Sequence, residues 1–297
     1  MRIVLTGSRG LIGSAVRADL ATAGHQVDCL IYSPAPTTAA LAWNPEAGLI
    51  SPTVFEDADA VIHLAGDPIA SGRWNSARKA RIRSSRVAGT LLISRTLAKL
   101  SVPPRVWISA SAIGFYGTRG DELLIEESPP GKGFLAEVCR EWEQATTTSR
   151  KSIRLVLLRM GMVLSGRGGA LARMLPAFRA GLGGPIGRGR QYWSWIAIDD
   201  VAAIVRFCVE NPEIEGPVLA VAPNPVTSRE FAKTLGKVLG RPAALRLPAA
   251  MARLGLGAMA DEILLSSQRA QPAKLLRAGY AFHFPELEGA LRHVLCR

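Results

Sequence analysis

Arg2-Ile3-Val4-Leu5-Thr6-Gly7-Ser8-Arg9-Gly10-Leu11-Ile12-Gly13 begins as an apolar run and breaks into glycines at every third position. The run predicts a strand over Arg2 to Thr6. Beyond it, Leu11, Ile12, Ala15, Val16 and Leu20 recur at helical spacing, and Gly24 stands where a helix would be capped. A second apolar run follows from Gln26 to Tyr32, so the whole reads as one βαβ unit of about thirty residues. In such a unit Gly7 permits the tight turn, Gly10 lets backbone approach a pyrophosphate, and Gly13 lets the helix pack close to the strand. Gly7, Ser8, Arg9, Gly10, Leu11, Ile12 and Gly13 are therefore candidate dinucleotide-binding residues. An ordinary glycine-rich turn can show the same bare spacing. The strand before it, the helix after it and the length of the unit argue for the dinucleotide.

The end of the second strand decides which dinucleotide. An Asp or Glu there would bond the ribose 2′-hydroxyl of NAD and repel a 2′-phosphate. The residues are Ile31-Tyr32-Ser33-Pro34, with no acid, which makes Tyr32 a candidate cofactor contact. Arg9, inside the loop, is placed to pair with a 2′-phosphate, its alternative being a solvated surface arginine. NADP(H) is expected ahead of NAD(H).

Further short apolar runs, Ala60 to Ala65, Arg105 to Ala110, Ile153 to Arg159 and Val218 to Val221, alternate with helix-period segments. The expected fold is α/β, a doubly wound parallel Rossmann sheet with a small C-terminal substrate lobe. Glycine and proline become dense from Gly161 onward. The expected division is residues 1–160, with 186–209 returning to them, against a lobe of 161–185 and 210–297. Apolar residues from Ile263 to Leu291 carry too much surface to stay in water, so the C-terminal segment should dock on the body. Ser266-Ser267-Gln268-Arg269 interrupts it as a polar stretch able to enter a cleft.

Composition narrows the function. The chain of 297 residues is 48% hydrophobic, which excludes disorder, and its net charge of +12 suits an anionic ligand. The cations are dispersed rather than gathered in blocks, which argues against a nucleic-acid partner; an RNA-binding reading would demand steep salt dependence. Cys29, Cys139, Cys208 and Cys296 form no close pair, so neither a disulfide framework nor a metal site is expected. No apolar run reaches the roughly eighteen residues of a membrane span, and a strand starting at Arg2 leaves no room for a signal peptide. A cytoplasmic protein with a small-molecule substrate is the expectation. Its oligomeric state is not legible, a homodimer being one open alternative.

Beyond the glycine loop stand Ala60-Val61-Ile62-His63-Leu64-Ala65-Gly66, Arg73-Trp74-Asn75 with Ser85-Arg86, and Ser109-Ala110-Ser111-Ala112-Ile113-Gly114-Phe115-Tyr116-Gly117. Gly133-Phe134-Leu135, Trp142-Glu143, Gly181 to Gly187, Trp195 to Asp200 and Leu265 to Arg269 follow. In this order they resemble the extended short-chain dehydrogenases/reductases, and within them the atypical SDR39U1/YfcH-like subfamily called epimerase family protein. The resemblance implies that Leu64, Ala65 and Gly66 line the adenosine ribose and pyrophosphate, and that Ser109, Arg86 and Arg159 belong to the cofactor set. By itself Arg86 shares a helical face with Lys79 and Arg83, which could simply be solvated.

Enzymes of this fold use a Ser or Thr on the substrate oxygen and a Tyr made acidic by a Lys four residues later. Ser111 occupies the Ser position. No Tyr-Lys pair follows: four residues after Tyr32, Tyr116, Tyr192 and Tyr280 stand Pro36, Gly120, Ile196 and Phe284, and the expected positions fall near Leu135 and Cys139. Tyr116, near Arg119, is the substitute acid, unless it is a packed aromatic. Cys139 is a buried helix residue or a thiol near the nicotinamide. Tyr192, Trp193 and Trp195 stack on a substrate or fill the core, and Asp199 and Asp200 read as an N-cap and a first-turn acid. Two functions stay open, an NADP(H)-dependent oxidoreductase or epimerase-like enzyme on a small polar, nucleotide-sugar-like substrate, and a non-catalytic NADP(H)-binding sensor or interaction protein.

Overall fold

The computed structural model describes residues 1–33, 41–149 and 153–296. Pro34, part of the strand end read for cofactor preference, lies outside the described residues, as does Arg297 of the expected lobe. β1 (Arg2–Thr6) and β2 (Gln26–Tyr32) have the bounds set by their apolar runs, with α1 (Leu11–Thr22) between them. There follow β3 (Ala42–Asn44), β4 (Leu49–Ile50), β5 (Ala60–His63), α2 (Ser76–Leu97), β6 (Val106–Ala112) and α3 (Phe134–Gln144).

These strands join Arg154–Met160 and Gly216–Ala220 in one sheet, ordered Gly216–Ala220, Arg154–Met160, β6, β5, β1, β2, β3, β4. Every pairing in it is parallel except β3 with β4. Parallel strands carry helices on both sheet faces, so their residues are buried on alternate sides. Leu5, Ile62, Ile108 and Val156 pack under Val16 and Leu20 of α1 and under Ile204 and Val205 of α5 (Ile198–Glu210). Val4, Val61, Trp107 and Leu155 pack against Ile93 and Leu97 of α2 on the other side. The strand order reverses between β1 and β5, which opens a crevice at their carboxyl ends.

The expected lobe needs one correction. Gly216–Ala220, inside the 210–297 part, pairs residue for residue with Arg154–Met160 and is the edge of the main sheet. Its Val218 and Leu219 are fully buried, and an apolar strand gains more by covering that edge than by leaving it open. Apart from the helix Ala273–Arg277, the remaining lobe helices share a separate core, which also takes Ile186, Trp193 and Trp195 from the 186–209 stretch expected to return to the sheet domain. α4 (Gly169–Arg179), α6 (Ser228–Leu239), α7 (Ala249–Leu256) and α9 (Leu287–Leu295) bring together Leu171, Phe178, Phe231, Leu235, Ala252 and Leu291 with Trp193 and Trp195. α8 (Ala273–Arg277) buries Leu275 in the main core, where Tyr280 and Phe282 also pack, so the C-terminal segment docks on the body. No helix among the described residues is long and apolar enough to cross a membrane.

Asp200 explains why the segment docks where it does. The helix begins at Ile198 with Ala197 as N-cap, so Asp199 and Asp200 are first-turn acids and neither is the cap. Asp200 is fully buried and accepts hydrogen bonds from the backbone N–H groups of His283 (2.8 Å) and Phe284 (3.0 Å). Burial raises its pKa above the usual carboxylate range against the pull of these bonds. Asp200→Ala would orphan both N–H groups at a cost of about 1–3 kcal/mol, which at roughly 2–4 °C per kcal/mol lowers Tm by several degrees. Thermal unfolding followed by circular dichroism measures it; an unchanged Tm would refute this role.

Candidate cofactor and substrate cleft

The glycine loop lies at the crevice. Gly7 has φ +73°, and a Cβ on it would stand 2.7 Å from the carbonyl carbon of Leu64. Gly13 is tighter still, since its Cβ would come 2.1 Å from the Gly7 oxygen. The backbones of β1, β5 and α1 can meet this closely only at glycine. A Cβ on Gly10 would meet only the Gly7 oxygen, at 3.2 Å, so the loop's outer side is an open concavity of the kind that receives a pyrophosphate. Arg9 and Gly10 are exposed, Ser8 is buried, and Leu11 and Ile12 are half-buried. Among the described residues Arg9 has no hydrogen-bond or ion-pair partner. Leu64 and Ala65 are half-buried and Gly66 is exposed across the crevice, with Thr6 Oγ1 accepting from Ala65 N–H at 3.4 Å. Tyr32 stays 47% exposed at the end of β2.

Arg86 lies under this floor. A Cβ on Gly66 would touch its guanidinium carbon at 3.6 Å, its Nη1 donates to the carbonyls of Asp67 and Ile82, and its cation lies 5.1 Å from the Trp142 ring centroid. It is not a solvated surface arginine; burial lowers its pKa.

Three expected contacts are engaged elsewhere. Arg159 is 4% exposed: Nε and Nη2 donate to the two carboxylate oxygens of Glu143, each at 2.8 Å, and Nη1 donates to Tyr116 Oη at 2.8 Å and the Glu126 carbonyl at 3.0 Å. Its guanidinium also lies 3.6 Å from the Phe115 ring centroid. Four of its five N–H donors are thus committed inside the protein, and the side chain is held away from the crevice by the Glu143 carboxylate. Ser111, paired in register with Arg159, is 1% exposed and donates its hydroxyl to Glu143 Oε1 at 2.7 Å. It faces α3, not a substrate. Tyr116 is fully buried and donates to the Ile125 carbonyl; burial outweighs the neighbouring Arg159 and pushes its pKa up to about 12. It is a packed aromatic, not an acid working near neutrality.

Ser109 is corrected as well. It lies fully buried on the same strand face as Trp107 and Ser111, beside His63 across the sheet, with none of its surface open to the crevice. His63 Nδ1 pairs with Thr6 Oγ1 at 2.7 Å, and burial lowers its pKa to about 3, so this ring is neutral. Cys139 is a buried α3 residue whose pKa burial raises to about 12. Trp193 and Trp195 belong to the core, with the Trp195 indole bonded to the Asn224 carbonyl. Tyr192 alone of that trio borders open space.

The opposite wall comes from the C-terminal segment. Ser267 N–H donates to Thr118 Oγ1 (3.1 Å), Arg119 N–H to the Ser267 carbonyl (2.9 Å), and Gln268 Nε2 to the Gly117 carbonyl (2.9 Å). This polar stretch stitches the lobe to the loop after β6. On one side of the stitch is an open groove of about 590 Å³ bordered by Arg190, Tyr192 and Arg229; on the other is a cavity of about 160 Å³ bordered by Gly114, Leu135, Glu262 and Gln268. No group of His, Cys, Asp or Glu suited to a metal ion occurs among the described residues.

The model of the NAD dependent epimerase/dehydratase family matches residues 3–221. The chain belongs to that family. Residues 247–294 match a second model, a domain of unknown function, DUF1731, which covers the cleft's C-terminal wall. Epimerase family protein Mb2239 of Mycobacterium bovis is 42% identical over 99% of this chain and 98% of its own. Human epimerase family protein SDR39U1 is 35% identical over 99% of this chain and 100% of its own. The crystal structure of that human protein (isoform 2) with NADPH superposes with a TM-score of 0.89 at 34% identity, covering 99% of each chain.

Glu143, Glu126, His63 and Glu262 were not singled out as site residues from the sequence. Their partners lie far away along the chain, and no local pattern marks them. Glu143→Ala would strand the buried Arg159 cation at a cost of about 3–5 kcal/mol, whereas Ser111→Ala should cost only about 1 kcal/mol. Urea unfolding of both variants tests the ranking; equal stabilities would contradict it. With their pKa values near 12, Cys139 and Cys208 should resist alkylation of the folded protein at about pH 8 while exposed Cys296 reacts, as peptide mass mapping would show.

Proposed function

We propose that the chain is an NADP(H)-binding oxidoreductase or epimerase-like enzyme acting on a small polar, sugar-derived substrate in the cleft between the sheet and the C-terminal segment. The open glycine cradle at the strand-order reversal carries the reading. Gly7, Ser8, Arg9, Gly10, Leu11, Ile12 and Gly13 would hold the pyrophosphate and 2′-phosphate, with Tyr32 beside the adenosine and Leu64, Ala65 and Gly66 along the ribose. Arg86 would hold the floor under Gly66. NADPH in the human relative's crystal structure supports this cofactor. Bound there, the nicotinamide would supply reversible hydride transfer. The groove, bordered by two cations, Arg190 and Arg229, against one acid, Asp121, suits an anionic part of a substrate.

A sensor without turnover is the second reading, favoured by the engagement of Ser111 with Glu143 and of Tyr116 with Ile125 and Arg159. Incubating the protein, loaded with NADPH or with NADP⁺, with a metabolite extract separates the two: a reduced or oxidised product formed with matching cofactor turnover, or an isomerised product formed with none, supports the enzyme, and an unchanged extract supports the sensor.

NADPH should bind about tenfold or more tightly than NADH, because a charge-assisted bond from Arg9 to the 2′-phosphate contributes about 1.5–3 kcal/mol. Arg9→Ala should erase most of that preference. Calorimetric titration decides it, and equal affinities for the two cofactors would sink the assignment.

A further inference from the structure

Glu262 stands at the inner cavity. It lies in a single π-helical turn, Ala260–Leu264, closed by Leu265 N–H donating to the Ala260 carbonyl at 2.9 Å. Such turns are rare and occur often at functional sites. From there the carboxylate crosses to α3, a helix that lacks a side-chain cap of its own. Oε1 accepts from Phe134 N–H at 2.9 Å and Oε2 from Leu135 N–H at 3.1 Å. Gly133, with φ +112°, is required by this approach, since a Cβ on it would stand 2.7 Å from Oε1.

The carboxylate is thus fixed in place but only half used. A carboxylate offers about four acceptor positions, and the two N–H groups take two of them. Its neighbour Asp261 also borders the cavity but is neutralised by Arg253 at 2.9 Å, whereas Glu262 is held by backbone N–H groups alone. Around it Gly114 and Leu135 are apolar, Ser266 and Gln268 are polar and uncharged, and the one cation, Lys132, is exposed. A cavity near 150 Å³ can admit a ring of six carbons, so this one of about 160 Å³ takes roughly six to eight non-hydrogen atoms.

We propose that Glu262 is a substrate-contacting residue, accepting hydrogen bonds from the hydroxyls of a short, neutral, hydroxylated carbon chain seated in this cavity. The assignment rests on the proposed small polar substrate and deepens it: the inner end of that substrate is a hydrogen-bond donor, and any anionic part lies outward, toward Arg190 and Arg229. A carboxylate facing the cavity disfavours an anion at the inner end and rewards hydroxyls.

The test uses the full chain saturated with NADPH, with erythritol as the neutral probe and erythronate as its anionic counterpart, followed by ligand-observed NMR. Erythritol should bind and erythronate should bind more weakly. Glu262→Gln should weaken erythritol by about tenfold or more, as expected for a lost hydrogen bond to a charged group, with NADPH affinity unchanged. Leu135→Phe fills the cavity from the facing wall, keeps Glu262, and should abolish erythritol binding. Unchanged erythritol affinity in Glu262→Gln, tighter binding of erythronate, or no binding of erythritol to the wild-type chain overturns the proposal. Repeating the erythritol titration without NADPH keeps the two readings apart, because a chain that binds erythritol but not NADPH loses the proposed cofactor and keeps this site.

Discussion

Arg159 and Glu143 form a two-bonded ion pair in an almost dry interior, and much of the cleft is arranged around it. Removing a guanidinium and a carboxylate from water costs several kcal/mol for each ion, so the pair persists only because its remaining hydrogen-bonding capacity is met. Ser111 donates to Glu143; Tyr116 and the Glu126 carbonyl accept from Arg159. Glu126 in turn accepts from the N–H groups of Leu219 and Lys274. One charge pair therefore ties β6, α3, the strand Arg154–Met160, the edge strand and α8 together.

That arrangement changes the chemistry available to the fold. The hydroxyl expected on the substrate, Ser111, and the substitute acid, Tyr116, both serve the ion pair instead. The surface that would have carried a tyrosinate and an ammonium is formed by Leu135, Cys139 and Gly114, an apolar wall. Polar groups return to the cleft from the other direction, through Glu262, Ser266 and Gln268 of the C-terminal segment. The glycine loop and the wall facing it are thus built by different parts of the chain, and Asp200 anchors the latter part by gripping the backbone at His283 and Phe284.

The sheet was legible because strand formation depends on local alternation and on where glycine interrupts it. Arg2 to Thr6 and Gln26 to Tyr32 could be bounded to the residue, and Gly7, Gly10 and Gly13 pointed to a close approach of backbones that the structure contains. The absence of a Tyr-Lys pair was also plain, since it is a matter of spacing along the chain. Gly216–Ala220 was recognised as a strand near its true limits but assigned to the lobe. Its neighbour in the sheet is Arg154–Met160, and nothing between the two segments records that pairing.

By itself the sequence determined the α/β alternation, the glycine cradle and the missing catalytic pair, all consequences of side-chain periodicity and backbone freedom within a few residues. Tertiary structure alone decided that Ser111, Tyr116 and Arg159 turn inward, and that Glu262 reaches the start of α3 from 128 residues away. The reason is that a buried polar group must find a partner wherever packing brings one. Which donor meets which acceptor is settled by the three-dimensional closeness of strands and loops, and that closeness leaves no periodic trace in the chain.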